Sequence, residues 1–103
     1  MAGAYAGSKS DRRAKKNVKD GDADAERLLK GLKAYRYDYK DERDGQGSQL
    51  GVMAQDLERA GAGHAVIDTP GGKMVHGAKL ATTLAATLPV LHRRLAKLEG
   101  KGA

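Results

Sequence analysis

The sequence predicts an α+β chain, with short helices and small β-hairpins followed by a long C-terminal helix that packs against copies of itself. Three observations carry this. Apolar residues recur with a helical period over residues 23–33, they alternate with period two over 34–40, and leucines run in a four-three spacing through the last quarter.

Residues 1–9 are rich in Gly, Ala and Ser and show no period, which predicts an extended arm or linker. Residues 10–19 are polar, with Val18 the single large apolar side chain. Asp20, Gly21 and Asp22 mark a turn in which Asp22 is the expected N-cap. Beyond it Ala25, Leu28, Leu29 and Leu32 fall on one helix face, and Asp24 and Glu26 sit where the positive end of the helix dipole favours acids. In residues 34–40, Tyr35, Tyr37 and Tyr39 point one way and the charges the other, as in a half-buried strand. Residues 41–47 make a charged, glycine-rich loop, and residues 49–53 return as the partner strand. A short helix over 54–60 is closed by Gly61 or Gly63. A second hairpin pairs 64–69 with 73–76 across Pro70-Gly71-Gly72.

The final helix is the most informative element. Leu80, Leu84, Leu88, Leu91, Leu95 and Leu98 are spaced 4, 4, 3, 4 and 3 residues apart, while Thr83, His92, Arg94 and Lys97 occupy the opposite face. A helix lying on its own core usually has a wider apolar face, so a narrow stripe predicts helices from separate copies packing together. Docking on its own domain is the alternative. Pro89 removes a backbone donor inside this stretch, which predicts a bend or a restart at 87–89. The expected organisation is an arm or linker over 1–9, an α+β body over 10–78 and a C-terminal helix over 79–103.

Composition points the same way. Of 103 residues 40% are hydrophobic, but Phe and Trp are absent and only four Tyr supply aromatic bulk. Much of the remainder is Ala, so a lone copy buries little, and burial at about 25 cal/mol per Å² offsets ordering entropy only narrowly. There are no cysteines, so neither disulfides nor thiolate metal sites compensate.

The net charge of +6 invites a small basic nucleic-acid-binding protein as an alternative. Its distribution argues against nucleic acid, because acids and bases nearly balance over 20–44 and only residues 9–19 cluster bases. No stretch approaches the roughly 20 apolar residues of a membrane span, and residues 1–7 are too short for a signal peptide. The chain is expected to be soluble and made in the cytoplasm. His64, His76 and His92 lack metal-ligand spacing even with Asp68 nearby, so they read as ordinary polar histidines and no metal is expected. Gly45-Gln46-Gly47 sits in a hairpin connection and not before a helix, so it is no phosphate loop, and no cofactor is expected.

One stretch can carry chemistry. Ser10-Asp11-Arg12-Arg13-Ala14-Lys15-Lys16-Asn17-Val18 places a hydroxyl five residues before a lysine. A Ser–Lys pair can cut a peptide bond when the lysine is desolvated enough to be neutral and reaches the hydroxyl. Taken alone, a Ser–Asp turn entering a charged loop explains the same residues.

The order of motifs adds weight. Ser10 to Val18, then Leu29 to Tyr39, then Gly51-Val52-Met53-Ala54-Gln55-Asp56-Leu57-Glu58, then Lys73 to Glu99 resembles the self-processing intramolecular chaperone domain that ends phage endosialidases, tailspikes and tail fibres. The resemblance covers about residues 8–99. It implies a homotrimer with bundled C-terminal helices, which brings fibre or spike chains into register and belongs to the virion tail. It also implies a single-turnover self-cleaving serine peptidase cutting the Lys9–Ser10 bond, with Ser10 as catalytic nucleophile and Lys15 as general base. Asp11 and Arg13 would hold the loop, and Gln55 would fix the fold. The sequence departs from the pattern at Ala14, where the motif has Leu, and at residues 61–64, where Gly-Ala-Gly-His replaces a Tyr-Pro step. Only nine residues precede Ser10. The expected role is therefore a trimeric assembly module kept as a structural tip or adaptor, with self-cleavage as the alternative.

Overall fold

The computed structural model describes residues 9–102. Of the expected arm over 1–9, all but Lys9 lies outside the described residues.

The first long element is helix α1, Asp22–Gly31. Gly21, not Asp22, takes the cap position, and the Asp20 carboxylate satisfies the exposed first turn by accepting the Asp22 N–H at 2.9 Å. Asp22 and Asp24 then lie in the first turn, at the positive end of the dipole. The helix stops two residues short of the expected end because Leu32 turns extended, with its N–H still on the Leu28 carbonyl.

Strands β1 (Tyr35–Tyr37) and β2 (Gln49–Gly51) pair antiparallel, Tyr35 opposite Gly51 and Tyr37 opposite Gln49. Tyr35 and Tyr37 are half-buried as the alternation predicts, whereas Tyr39 leaves the ladder and is 41% exposed. Its ring stands edge-on to Tyr37, with centroids 5.4 Å apart. The ladder is shorter than expected because a 3-10 turn at Glu42–Asp44, capped by Asp41, takes up the backbone of the connection. Gly51 leaves room for the Tyr37 ring, since a Cβ there would lie 3.0 Å from the phenol oxygen.

Helix α2 (Ala54–Arg59) ends in a Schellman motif, and Gly61 rather than Gly63 closes it. Gly61 adopts a φ of +87°, and the Gly61 and Ala62 N–H groups donate to the Glu58 and Leu57 carbonyls at 3.2 and 2.8 Å. A 3-10 turn at Gly63–Ala65 replaces the expected start of the second hairpin. Strands β3 (Val66–Thr69) and β4 (Gly72–Val75) follow, with Val66 opposite Val75 on the half-buried face and Ile67 opposite Met74 on the exposed one.

The C-terminal leucine-bearing segment comprises α3 (Gly77–Ala85) and α4 (Thr87–Gly102). The restart falls at Ala86, where Thr87 Oγ1 donates to the Leu84 carbonyl at 2.6 Å. Pro89 thus sits in the first turn of α4, where a backbone donor has no intrahelical acceptor to lose. Short helices, two small antiparallel hairpins and a long C-terminal helical segment make up the α+β arrangement that the sequence predicts.

Leu28, Leu57, Ala60 and Ala62 form the core, with Leu32, Val52, Val66, Val75 and Leu80 packed around it. Among the described residues, the buried hydrophobics are Ala25, Ala60, Ala62 and Ala65 with only Leu28, Leu57 and Val90. Helix α4 docks on α1 along its Val90 face, fastened by Arg93 to Asp22 at 2.6 Å and Arg94 to Glu26 at 2.7 Å. The leucines split accordingly. Leu80 joins the core, whereas Leu84, Leu88, Leu91, Leu95 and Leu98 keep 38–66% of their surface in water.

Candidate functional site

The Ser10–Val18 segment owes its shape to Asp11. The Asp11 carboxylate accepts the Arg13 backbone N–H at 2.8 Å and so caps the 3-10 turn Arg12–Ala14. It also holds the Arg13 guanidinium through two edges, Nε to Oδ1 at 3.2 Å and Nη2 to Oδ2 at 2.8 Å. The Arg13 guanidinium first, and its backbone N–H second, keep the Asp11 carboxyl below the usual aspartate range, and the pairing raises Arg13 in turn. Lys15 leaves the turn in extended conformation, and its ammonium donates to Ser10 Oγ at 3.2 Å. Asn17, at a φ of +56°, then redirects the chain, a left-handed conformation that Asn tolerates better than most residues.

The structure therefore brings Ser10 and Lys15 together. Both lie in water, as does every residue from Lys9 to Asp24. Among the described residues, no hydrogen bond of residues 9–20 reaches beyond Asp22. The segment is an arm that stands off the body with a defined local shape, and Val18 is 58% exposed on it.

The same Asp-x-Arg device recurs in the β1–β2 connection. Asp41 accepts the Arg43 N–H at 2.9 Å and holds its guanidinium by Nε at 3.1 Å and Nη2 at 2.7 Å. Arg43 keeps the Asp41 carboxyl low in the same order of causes. Sequence reasoning missed this second copy, although the three-residue spacing is visible. Its presence beside no Ser–Lys pair marks the device as a turn clamp.

Other expectations resolve into packing. His64 Nε2 is 2.9 Å from Thr83 Oγ1, and His76 Nδ1 accepts the Lys79 N–H at 3.2 Å to cap α3. His92 is exposed on α4. Among the described residues no three His, Asp or Glu side chains gather as metal ligands. Gln55 is exposed, and its neighbours carry the fold instead. Leu57 is fully buried, and Asp56 is 8% exposed with the Arg59 guanidinium on its carboxylate.

One further surface feature stands out. The two hairpins flank an open groove of about 780 Å³, lined by Tyr37, Val52, Met53, Val75 and Leu80 among others, with Asp44 and Lys73 also on its walls. Lys73 donates to Asp68 at 2.6 Å and Glu58 at 3.0 Å, and these carboxylates, Asp68 first, hold its ammonium above the usual lysine value.

A family model designated a peptidase and described as chaperone of endosialidase matches residues 10–66, which begin at Ser10 and span the clamp, the first hairpin and α2. No curated protein was found to match the sequence.

Proposed function

Because the chain belongs to the chaperone of endosialidase family, we propose that it is an assembly module of a phage tail fibre or spike, in which three copies join through their C-terminal helices. The supporting observation is the uncovered ridge of Leu84, Leu88, Leu91, Leu95 and Leu98 on a segment whose other face already docks on α1. A fully buried Leu contributes roughly 1.5–3 kcal/mol relative to an exposed one. Each of the five keeps 38–66% of its surface exposed in one copy, so covering it adds about half of that gain. Joined in parallel, such helices hold three chains in register, which is what a trimeric fibre needs at its end, and the module then stays on the tail as a tip or adaptor. Light scattering tests this reading: it predicts about three times the 10.9 kDa chain mass, and a folded monomer at micromolar concentration overturns it.

The 3.2 Å approach of Lys15 to Ser10 favours a second activity of the same module, one self-cleavage at Lys9–Ser10. Ser10 Oγ attacks the Lys9 carbonyl carbon while the Lys15 amine takes the hydroxyl proton. The C–N bond breaks, Lys15 returns the proton to the Ser10 amine, and water hydrolyses the resulting ester. Ser10 becomes the new N-terminus, so the reaction runs once per chain. The amine accepts a proton only when it is neutral, which requires removal from water. A single copy leaves Lys15 exposed. On this reading, assembly must come before cutting.

A further inference from the structure

We propose that the groove between the two hairpins receives the basic arm, residues 9–19, of a second copy of the chain. The inference rests on the multimeric reading above and adds to it a contact away from the leucine ridge.

Charge selects the occupant. The arm carries six bases, Lys9, Arg12, Arg13, Lys15, Lys16 and Lys19, against the single acid Asp11. The loop that gives Tyr39 and Asp44 to the groove, residues 38–44, carries four acids against two bases. Within it Asp38, Glu42 and Asp44 have no ion-pair partner among the described residues. The groove's own cation, Lys73, is already held by two carboxylates.

Two other surfaces repel the arm. The shallow cavity between α1 and α2 is lined by Arg27, Lys30 and Arg59 with Glu26 the one acid. Helix α4 adds Arg93 and Arg94, which already hold Asp22 and Glu26, and the exposed base Lys97. At the contact distances of a docked arm, charges of opposite sign attract within the ~8–10 Å Debye length of physiological salt, and like charges are excluded.

Apolar surface agrees with charge. The groove offers Tyr37, Val52, Met53, Val75 and Leu80, and the arm offers one large apolar side chain, Val18, which its own chain leaves 58% exposed. An arm on one copy meeting a groove on the next is a heterologous contact, which closes into a ring when its rotation does. Three helices bundled on an axis supply that closure. Docking also takes Lys15 out of water, the condition that its role as a base requires.

The absence of native cysteines makes the test direct. The full-length chain is prepared as Val18→Cys/Met74→Cys, which pairs the arm with the exposed groove wall. Val18→Cys/Lys30→Cys, which pairs it with the basic cavity, is the control. After mild oxidation and denaturation without reductant, the first pair should lose its monomer band to covalent dimer and trimer, and the control should keep it. Mixing the two single variants Val18→Cys and Met74→Cys should give a covalent dimer of unlike chains. Adding Asp44→Lys, or raising salt to about 1 M where the Debye length falls to ~3 Å, should suppress the cross-link. A trimer by light scattering that does not cross-link overturns the docking alone. A monomer overturns docking and trimer together. A disulfide within one chain, or equal cross-linking of the control, overturns the docking in trans.

Discussion

The Lys15 ammonium donates to Ser10 Oγ at 3.2 Å, and the Asp11–Arg13 clamp between them sets the turn that allows it. The pair is thus positioned by local chain geometry, without help from the body. What local geometry does not supply is a dry environment, since the whole arm is exposed. Position and burial have separate sources, and variants can separate them.

Self-cleavage is read by intact mass after expression with a tag ahead of Met1. The wild-type chain should begin at Ser10. Ser10→Ala should stay whole because it has no nucleophile, and Lys15→Ala because removing a general base costs roughly 10²–10⁴-fold in rate. Recovery of the unchanged tagged mass from the wild-type chain would remove the peptidase role.

In the proposed trimer, Leu91→Asp should separate the copies without unfolding them. Leu91 is 40% exposed and lies outside the core cluster, so a charge there opposes contact between copies more than the fold of one. Light scattering should drop toward the 10.9 kDa chain mass while helical circular dichroism persists. Cleavage of the tagged form should fall with it, since a lone copy leaves Lys15 in water.

The clamp has a pH signature of known sign. Arg13 first through its side chain, then through its backbone N–H, lowers the Asp11 carboxyl, and Arg43 does the same to Asp41. A lowered folded-state value means that the turn's contribution is full above the ordinary aspartate value and is lost as pH falls through the lowered one. Carboxyl NMR titration should place both midpoints below that of an aspartate in an unfolded peptide. Arg13→Ala should move Asp11 back most of the way and leave Asp41 where it is.

Periodicity made the order of elements legible, because patterns of 3.6 and 2 are written in the side chains themselves. The bounds were less so. The end of β1 depends on hydrogen bonds captured by the Asp41-capped turn, and the cap of α1 on Asp20 reaching one residue past Gly21. The Ser10–Lys15 contact was legible as a spacing, yet its exposure was not, since burial depends on what the arm packs against. The division of the leucine run also escaped the sequence. Leu80 and Leu84 lie four apart on one helix, but only tertiary packing decides that the first joins the core and the second faces water.

Leu57→Ala should act through the copy itself. Leu57 is fully buried at the centre of the cluster, and emptying such a site costs about 2–5 kcal/mol depending on how far the surroundings collapse. In a core whose other central members are Leu28, Ala60 and Ala62 this is a large share of the stability. Denaturant unfolding should show a lower midpoint, in contrast with Leu91→Asp, whose primary loss is between copies.

Gly31→Ala sets two effects of opposite sign against each other. Gly31 ends α1, and replacing a helix glycine with alanine usually gains up to ~1 kcal/mol. The added Cβ would lie 2.8 Å from Ala60 Cβ and 3.5 Å from Ala60 Cα. Ala60 is buried and has no flexible end to swing away, so α1 and α2 must separate. Overpacking of this kind costs typically 1–3 kcal/mol and outweighs the propensity gain. The net result should be destabilisation of about 0–2 kcal/mol, measured as a lower denaturant midpoint with an unchanged slope. A midpoint higher than wild type would mean that the two helices approach less closely than the Gly31–Ala60 contact requires.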